Sequence, residues 1–293
     1  MKNKYRNIFL AFGIVAVLIM IFTFDMDYQE LWANLKRAGV YLPLVLLLWL
    51  FVYLINTTSW YIIIRSGGKP GFSFARLYKF TVTGFALNYV TPVGLMGGEP
   101  YRIMELKPYI GVERATSSVI LYVMMHIFSH FCFWLSSVLL YLCLYPVGWV
   151  MGTILGTITV FCLLVAMLFV KGYQHGMAVA FVRLGSHLPF LKKKVIRFAD
   201  SHREQLENID KQIALLHQQK KGAFYAALFL EYTARVVSCL EIWLILNVLT
   251  RSVSFADCCL IAAFSSLLAN LLFFLPMQLG GREGGFALAV GGL

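Results

Sequence analysis

The sequence predicts an all-α, polytopic membrane protein with about six to eight membrane segments. Its 293 residues are 60% hydrophobic and only 13% charged, whereas a soluble domain carries roughly a quarter charged residues. The apolar stretches are continuous and do not alternate, which favours helices over strands. Two motifs rich in proline and glycine interrupt these stretches in a similar way. We therefore expect two related halves, residues 1–145 and 146–293, each with a broken or re-entrant helix.

The first half begins with two predicted spans. Residues 8–24 are an apolar run just long enough to cross a bilayer, and three basic residues precede it. No small-residue cleavage site follows, so we expect a retained helix. The positive-inside rule then places the N-terminus in the cytoplasm. We expect a multi-pass protein of the cytoplasmic (inner) membrane. Residues 28–40 are predicted to be an outer connector, and residues 41–64 are the second span.

Residues 72–107 predict a broken or re-entrant segment. The stretch is only moderately apolar, and Asn88, Thr91 and Glu99 would each be costly against lipid. A long apolar helix over residues 115–145 follows it.

The second half contains the only long polar stretch of the sequence. Residues 149–170, 223–249 and 255–275 are predicted spans. Residues 172–221 are rich in lysine and arginine, so we expect a cytoplasmic loop with an amphipathic helix on the membrane surface. If the second half repeats the first, a further helix should follow Gly285, and the sequence is then cut short at its C-terminus.

The two interrupting motifs are the predicted centre of function. The first, residues 88–102, reads NYVTPVGLMGGEPYR, and the second, residues 274–283, reads FLPMQLGGRE. Proline removes a backbone donor, so such breaks persist in a bilayer only where they are buried in protein or line a cavity. We predict that the motifs together form a substrate-binding site from Asn88, Pro92, Gly97, Gly98, Glu99, Arg102, Pro276, Gly280, Gly281, Arg282 and Glu283.

The charged residues of these motifs have two interpretations. Arg102 and Arg282 could bind a lipid phosphate through paired hydrogen bonds, while the neighbouring glutamates orient them or bind an ammonium group. Alternatively, the charges form internal ion pairs that hold the broken helices together. Because ionisable residues inside a membrane are functional by default, we favour the substrate role.

Charges within the span over residues 223–249 extend the candidate site. Glu231 and Arg235 are four residues apart and can pair along one helix face. They are predicted either to line the same cavity or only to neutralise each other. Glu241 lies ten residues after Glu231 on nearly the same face and would extend the polar track.

Two further patterns indicate other chemistry more weakly. His126 and His130 have the spacing of a metal pair, but Ile127 replaces the glutamate of the zinc-protease signature. We interpret them as packing histidines and expect no metal and no cofactor. Asp25 and Asp27 follow the first span on the outer face, where membrane glycosyltransferases that use lipid-linked sugars keep a catalytic acid.

At the two motifs the chain resembles the transmembrane, flippase-like region of lysylphosphatidylglycerol synthases. The resemblance rests on Asn-x3-Pro-x4-Gly-Gly-Glu-x2-Arg in residues 88–102, on Leu-Pro-x3-Gly-Gly-Arg-Glu in residues 275–283 and on the basic loop. It covers nearly the whole chain. It implies a helical membrane domain that moves or accommodates a phospholipid or lipid-linked molecule across the bilayer.

The resemblance does not bring an aminoacyl-transfer reaction with it. In full-length synthases a separate soluble domain transfers an aminoacyl group from tRNA to phosphatidylglycerol. The longest polar stretch here is shorter than a typical domain of about 100 residues. We therefore expect a stand-alone member without that domain.

The sequence thus predicts a flippase-like protein that binds and translocates an anionic phospholipid or a lipid-linked headgroup. One alternative is a membrane enzyme of lipid modification, either phosphatidylglycerol lysyltransferase-like or acting by lipid-linked glycosyl transfer. Another is a non-catalytic membrane partner of a soluble enzyme, and a homo-oligomer is a further option. The net charge of +11 comes from loop lysines and arginines, which set orientation and contact anionic headgroups. We expect no nucleic-acid partner.

Overall fold

The computed structural model is helical throughout the part of the chain that it describes. That part comprises residues 28–90, 97–175, 204, 207–208, 210–211, 221–249 and 253–271. Its helices, in chain order, are α1 (Tyr28–Ala38), α2 (Tyr41–Ser66), α3 (Phe74–Val90), α4 (Gly98–Ile110), α5 (Val112–Leu144), α6 (Trp149–His175), α7 (Lys221–Leu249) and α8 (Phe255–Leu271). None of these residues forms a strand, and the predicted all-α class is confirmed.

Three of the described helices are long and apolar enough to cross a membrane. They are Tyr41–Ser66, Val112–Leu144 and the Trp149–Met167 part of α6. Large apolar side chains such as Leu46 and Val160 point away from the protein, as expected for helices that pack against lipid. These helices confirm a helical membrane protein.

Helix α5 is the longest of the described helices. It has 33 residues, so it extends for about 50 Å and exceeds the hydrocarbon core of about 30 Å. Gly111 precedes it with φ 80, a backbone conformation that glycine adopts without strain. Pro146 follows it closely and cannot continue a helix. The ends of α5 therefore project beyond the apolar layer, or the helix tilts.

Some predicted elements differ from the structure or lie outside it. Residues 28–40 were expected as a connector, but α1 occupies most of them, with Lys36 lying over the Trp32 ring at 5.6 Å. Helix α7 is not among the three candidate spans of the described residues. Its membrane crossing stays a prediction. The re-entrant course of the chain between α3 and α4 also stays a prediction. The first span, most of the basic loop, residues 91–96 and the second motif lie outside the described residues.

The chain divides into two compact units. The first contains the described residues within Met1–Leu54, Lys79–Tyr101 and Val236–Leu293, and the second those within Ile55–Tyr78 and Arg102–Arg235. Helices α2, α3, α4 and α7 each contribute residues to both units. The division into halves at residue 145 stays a prediction.

In the first unit, aromatic and apolar contacts join the helices. Tyr53 of α2 packs against Phe85 of α3, with ring centroids 5.2 Å apart. Leu246 of α7 packs with Cys258 and Ile261 of α8 in a small buried cluster. Inside a membrane, close van der Waals packing of this kind contributes to the association of helices.

In the second unit, α5 packs against α2 and α6. Near its start, Arg114 donates from Nη2 to the Ile64 carbonyl oxygen (2.8 Å) near the end of α2. Eight residues further along α5, Tyr122 stacks on Trp60 of α2 at 5.4 Å. The contacts advance along α5 as they move back along α2, so the two helices are antiparallel. Phe128 of α5 stacks on α6 as well.

Candidate functional site

The start of α4 is held by one side chain of α3. The backbone N–H of Gly98 donates to Asn88 Oδ1 at 2.7 Å, and Asn88 Nδ2 donates to Glu99 Oε1 at 3.0 Å. The first amides of a helix have no acceptor within the helix, so Asn88 acts as a cap supplied by a neighbouring helix. Glu99 lies in the first turn, where the helix dipole favours a negative charge.

Gly98 cannot be replaced by a larger residue without movement of the backbone. A Cβ atom at this position would overlap the Gly84 carbonyl oxygen and would lie 2.8 Å from Asn88 Oδ1. Neither neighbour can rotate away freely, because one is backbone and the other is the cap. The glycine of the first motif therefore permits the close approach of α3 and α4 in the first unit.

In the second unit, Arg102 is buried against two aromatic rings. Its residue exposure is 1%. The guanidinium carbon lies 5.7 Å from the centre of the Trp60 ring and 5.3 Å from that of Tyr122. A guanidinium over an aromatic face gains cation–π attraction, which is strongest where water is excluded. The arginine predicted to bind phosphate is thus held in an aromatic environment.

Glu231 forms a hydrogen-bonded pair with His126. Glu231 Oε2 lies 2.8 Å from His126 Nδ1, and 0% of the glutamate side chain is exposed against 32% of the histidine side chain. The second oxygen, Oε1, has no hydrogen-bond partner among the described residues. The pair therefore has one deeply buried end and one accessible end.

Arg235 binds the same stretch of α5. Its Nε donates to Ser129 Oγ and its Nη2 donates to the His126 carbonyl oxygen, both at 2.8 Å. The sequence suggested that Glu231 and Arg235 pair along one face of α7. In the structure both side chains hydrogen-bond to α5 instead, because α5 runs beside α7 and offers a histidine, a hydroxyl and a carbonyl group.

These side chains occupy one level of the second unit. Ser59 Oγ of α2 donates to the Ala227 carbonyl oxygen of α7 at 3.1 Å. Asn56 lies one helical turn before Trp60 on α2, and the Trp60 ring faces the guanidinium of Arg102. We call this level the buried polar layer, formed by Asn56, Trp60, Arg102, Tyr122, His126, Glu231 and Arg235.

Within the described part of the chain, some buried atoms of the buried polar layer lack hydrogen-bond partners. They include Asn56 Oδ1, Trp60 Nε1 and Glu231 Oε1, in residues that are at most 4% exposed. Each unsatisfied buried group costs about 1–3 kcal/mol, and native proteins tolerate few of them. Two acceptors and one donor at a single level indicate a place where a polar ligand or ordered water completes the hydrogen bonding.

The structure brings together only some of the predicted site residues. Arg102, Glu231 and Arg235 lie in the second unit, whereas Asn88, Gly98, Glu99 and Glu241 belong to the first. Gly97 directly precedes α4. The predicted residues outside the described part are Pro92, Pro276, Gly280, Gly281, Arg282 and Glu283, together with Asp25 and Asp27 of the enzyme alternative.

Sequence reasoning missed the contribution of α2. The run INTTSW, residues 55–60, is a polar interruption within an otherwise apolar span. That run was the available signal, because hydroxyl and amide groups inside a span usually face protein. His126 was interpreted as a packing residue, and its partner could not be foreseen across 105 positions. Among the described residues no three metal-ligating side chains cluster.

Comparison with known proteins gives a match to a family. A family model described as the lysylphosphatidylglycerol synthase TM region matches residues 8–293, essentially the whole chain. No curated protein and no solved structure matches the chain.

Proposed function

Because this chain belongs to the family of the lysylphosphatidylglycerol synthase transmembrane region, we propose that it binds an anionic phospholipid or lipid-linked headgroup and translocates it across the membrane. The acyl chains stay in lipid while the headgroup enters the buried polar layer. The proposal places the chain in the cytoplasmic membrane with its N-terminus inside.

The observation that carries the proposal is the buried polar layer itself. It holds two arginines, Arg102 and Arg235, against one glutamate, Glu231, and one histidine, His126. Charged groups inside a membrane are expensive and persist where they serve a substrate or ion. An excess of positive charge with little water nearby attracts an anion strongly. The phosphate of a lipid headgroup supplies such an anion.

The chemistry of the layer fits a phosphate with polar substituents. A guanidinium presents donors that match phosphate oxygens in paired geometry. The indole N–H of Trp60 is a further donor, and Asn56 Oδ1 and Glu231 Oε1 are acceptors for hydroxyl or ammonium groups of a headgroup. All three atoms await a partner among the described residues.

Arg102 is buried in the conformation described here, so the layer must open before a headgroup reaches it. Alternating access provides such an opening in transporters with broken helices. Asn88 and Gly98 then serve the mechanism indirectly by fixing where α4 begins. The second motif, with Arg282, is proposed to supply the corresponding break in the second half.

The test is translocation of a fluorescent phosphatidylglycerol. The purified chain is reconstituted in phosphatidylcholine vesicles, and a membrane-impermeant reductant reports how much probe reaches the outer leaflet. Arg102→Lys and Arg235→Lys keep the positive charge but lose the planar guanidinium group with its paired N–H donors. Losing a charge-assisted hydrogen bond costs about 1.5–3 kcal/mol, so each rate should fall roughly ten- to a hundredfold.

Arg76→Lys is the matched control. Arg76 is exposed and donates to Tyr109 Oη at 2.8 Å, outside the buried polar layer, so its replacement should leave the rate unchanged. Size-exclusion profiles must show that each variant is folded. Wild-type rates in both lysine variants of the layer would contradict the proposed site, and a wild-type rate equal to that of empty vesicles would contradict the function.

A further inference from the structure

The His126–Glu231 pair has the construction of a proton-binding site. The Glu231 carboxyl group is shielded, with 0% of its side chain exposed, while 32% of the His126 side chain is accessible. The imidazole is therefore the end of the pair at which we expect a proton to enter. The two groups are 2.8 Å apart, so a proton taken up belongs to the pair and not to one residue.

The charged and titratable groups that face this pair come from three helices. Arg102 of α4 and Arg235 of α7 lie close enough for their charges to act on His126. On α5, Tyr122 lies one turn before His126 and His130 one turn after it, with the two imidazole centroids 5.7 Å apart. Helix α2 adds only uncharged polar groups to the buried polar layer, Asn56 and Trp60.

This arrangement makes proton uptake dependent on an anion. With His126 neutral, the layer already holds two positive charges and one negative charge. A further proton is repelled by both arginines, and the buried charge of Arg102 acts more strongly than it would in water. A bound phosphate offsets that repulsion. By thermodynamic linkage, each of the two ligands then strengthens the binding of the other by the same factor.

We propose that the His126–Glu231 pair takes up one proton from water each time an anionic headgroup binds in the buried polar layer, so that transport of the headgroup is coupled to proton movement. This inference rests on the proposed function. One negative charge and one positive charge enter together, and the layer has the same total charge when empty and when loaded. After the headgroup is released, the empty layer must return to the other side of the membrane. Because its charge is the same as when it is loaded, the membrane potential adds no cost to that return.

The first test measures protons released or taken up on binding. The full chain in an uncharged detergent and a weakly buffered solution receives soluble dihexanoyl phosphatidylglycerol, and a pH-indicator dye follows the proton. Between about pH 5.5 and pH 8, where histidine titrates, uptake should rise toward one proton per bound lipid at its maximum. His126→Gln and Glu231→Gln should abolish the uptake, while His130→Gln should retain it.

The outcomes separate this inference from the proposed function. Lipid binding without proton uptake at any pH in that range overturns the coupling and leaves the lipid-binding proposal standing. Absence of binding and of translocation overturns the proposed function and the coupling with it. Undiminished uptake in both glutamine variants overturns the assignment to this pair.

The second test uses a pH gradient across proteoliposomes. One proton moved per lipid makes each pH unit worth 1.36 kcal/mol, so a gradient of one unit should shift the steady-state leaflet distribution of fluorescent phosphatidylglycerol about tenfold. The readout is the ratio of the distributions with and without the gradient, which does not depend on the basal rate. His126→Gln should bring this ratio to one. A ratio of one in the wild-type chain that nevertheless translocates the probe overturns the coupling.

Discussion

Asn88 Nδ2 donates to Glu99 Oε1 at 3.0 Å, and the carbonyl oxygen of the same side chain accepts from the backbone of Gly98. The side-chain amide of Asn88 thus provides an acceptor for the first turn of α4 and a donor for a carboxylate that would be costly in lipid. These residues of the first motif hold α3 and α4 together in the first unit, whereas Arg102 is buried in the second. A short motif therefore serves two purposes, and each can be tested separately.

Asn88→Asp should destabilise the fold by about 1–3 kcal/mol, because it places a second carboxylate against Glu99 and removes the donor. A second substitution, Glu99→Gln, should restore most of that loss. The new carboxylate still accepts from Gly98 N, and the glutamine amide now donates across the same gap. Thermal unfolding in detergent measures both effects.

The control for this exchange is Glu99→Gln alone, which keeps an acceptor for Asn88 and should change stability little. If the double variant is no more stable than Asn88→Asp, the reversed hydrogen bond does not form. The contact between Asn88 and Glu99 would then contribute nothing specific to the fold.

Gly98→Ala should destabilise the fold by about 1–3 kcal/mol, the usual cost of overpacking. The added methyl group would overlap the Gly84 carbonyl oxygen, so α3 and α4 must separate. Gly156→Ala is the matched control, since nothing lies within 4 Å of a Cβ at that position of α6. It should stabilise the helix slightly, by about 0.5–1 kcal/mol. Equal melting temperatures for the two variants would contradict the close approach.

The apolar spans could be predicted from sequence because hydrophobic run length is a local property. Residues 41–64 and 115–145 correspond closely to α2 and α5, and the sequence indicates Arg102 and Glu231 as candidate site residues because charges in a membrane segment are rare. The pairing of Glu231 with His126 could not be predicted. It depends on how α5 and α7 pack against each other, and an i, i+4 arginine on the same helix offered a simpler local partner.

The same limit explains the interpretation of Asn88 and Glu99. From sequence, a glutamate beside a broken helix is indistinguishable from a ligand-binding residue. Its role as the partner of a capping amide becomes visible only when α3 and α4 are seen side by side. The described part of α3 ends at Val90 and α4 begins at Gly98, and the break between them stays a prediction.

Glu231→Ala should destabilise the second unit strongly, by about 3–5 kcal/mol, because it removes one partner of a buried pair and leaves the arginines uncompensated. Glu231→Gln should cost clearly less, since its amide oxygen still accepts from His126. Glu241→Ala on the same helix is the control and should stay within about 1 kcal/mol of wild type. Thermal unfolding again gives the comparison. A similar small loss in all three variants would contradict the buried pair.

Trp60→Phe separates ligand binding from folding. The phenyl ring can still stack on Tyr122 and face the guanidinium of Arg102, but the indole N–H is lost. Because that N–H has no partner among the described residues, its removal relieves an unsatisfied buried donor and should leave the melting temperature unchanged or higher. If the donor serves a headgroup, translocation of fluorescent phosphatidylglycerol should fall severalfold, by the roughly 0.5–1.5 kcal/mol of one hydrogen bond.

Trp134→Phe, buried further along α5 and outside the layer, should not change the rate. A Trp60→Phe variant that is destabilised and transports normally would show that the indole N–H has a structural partner and does not contact the headgroup.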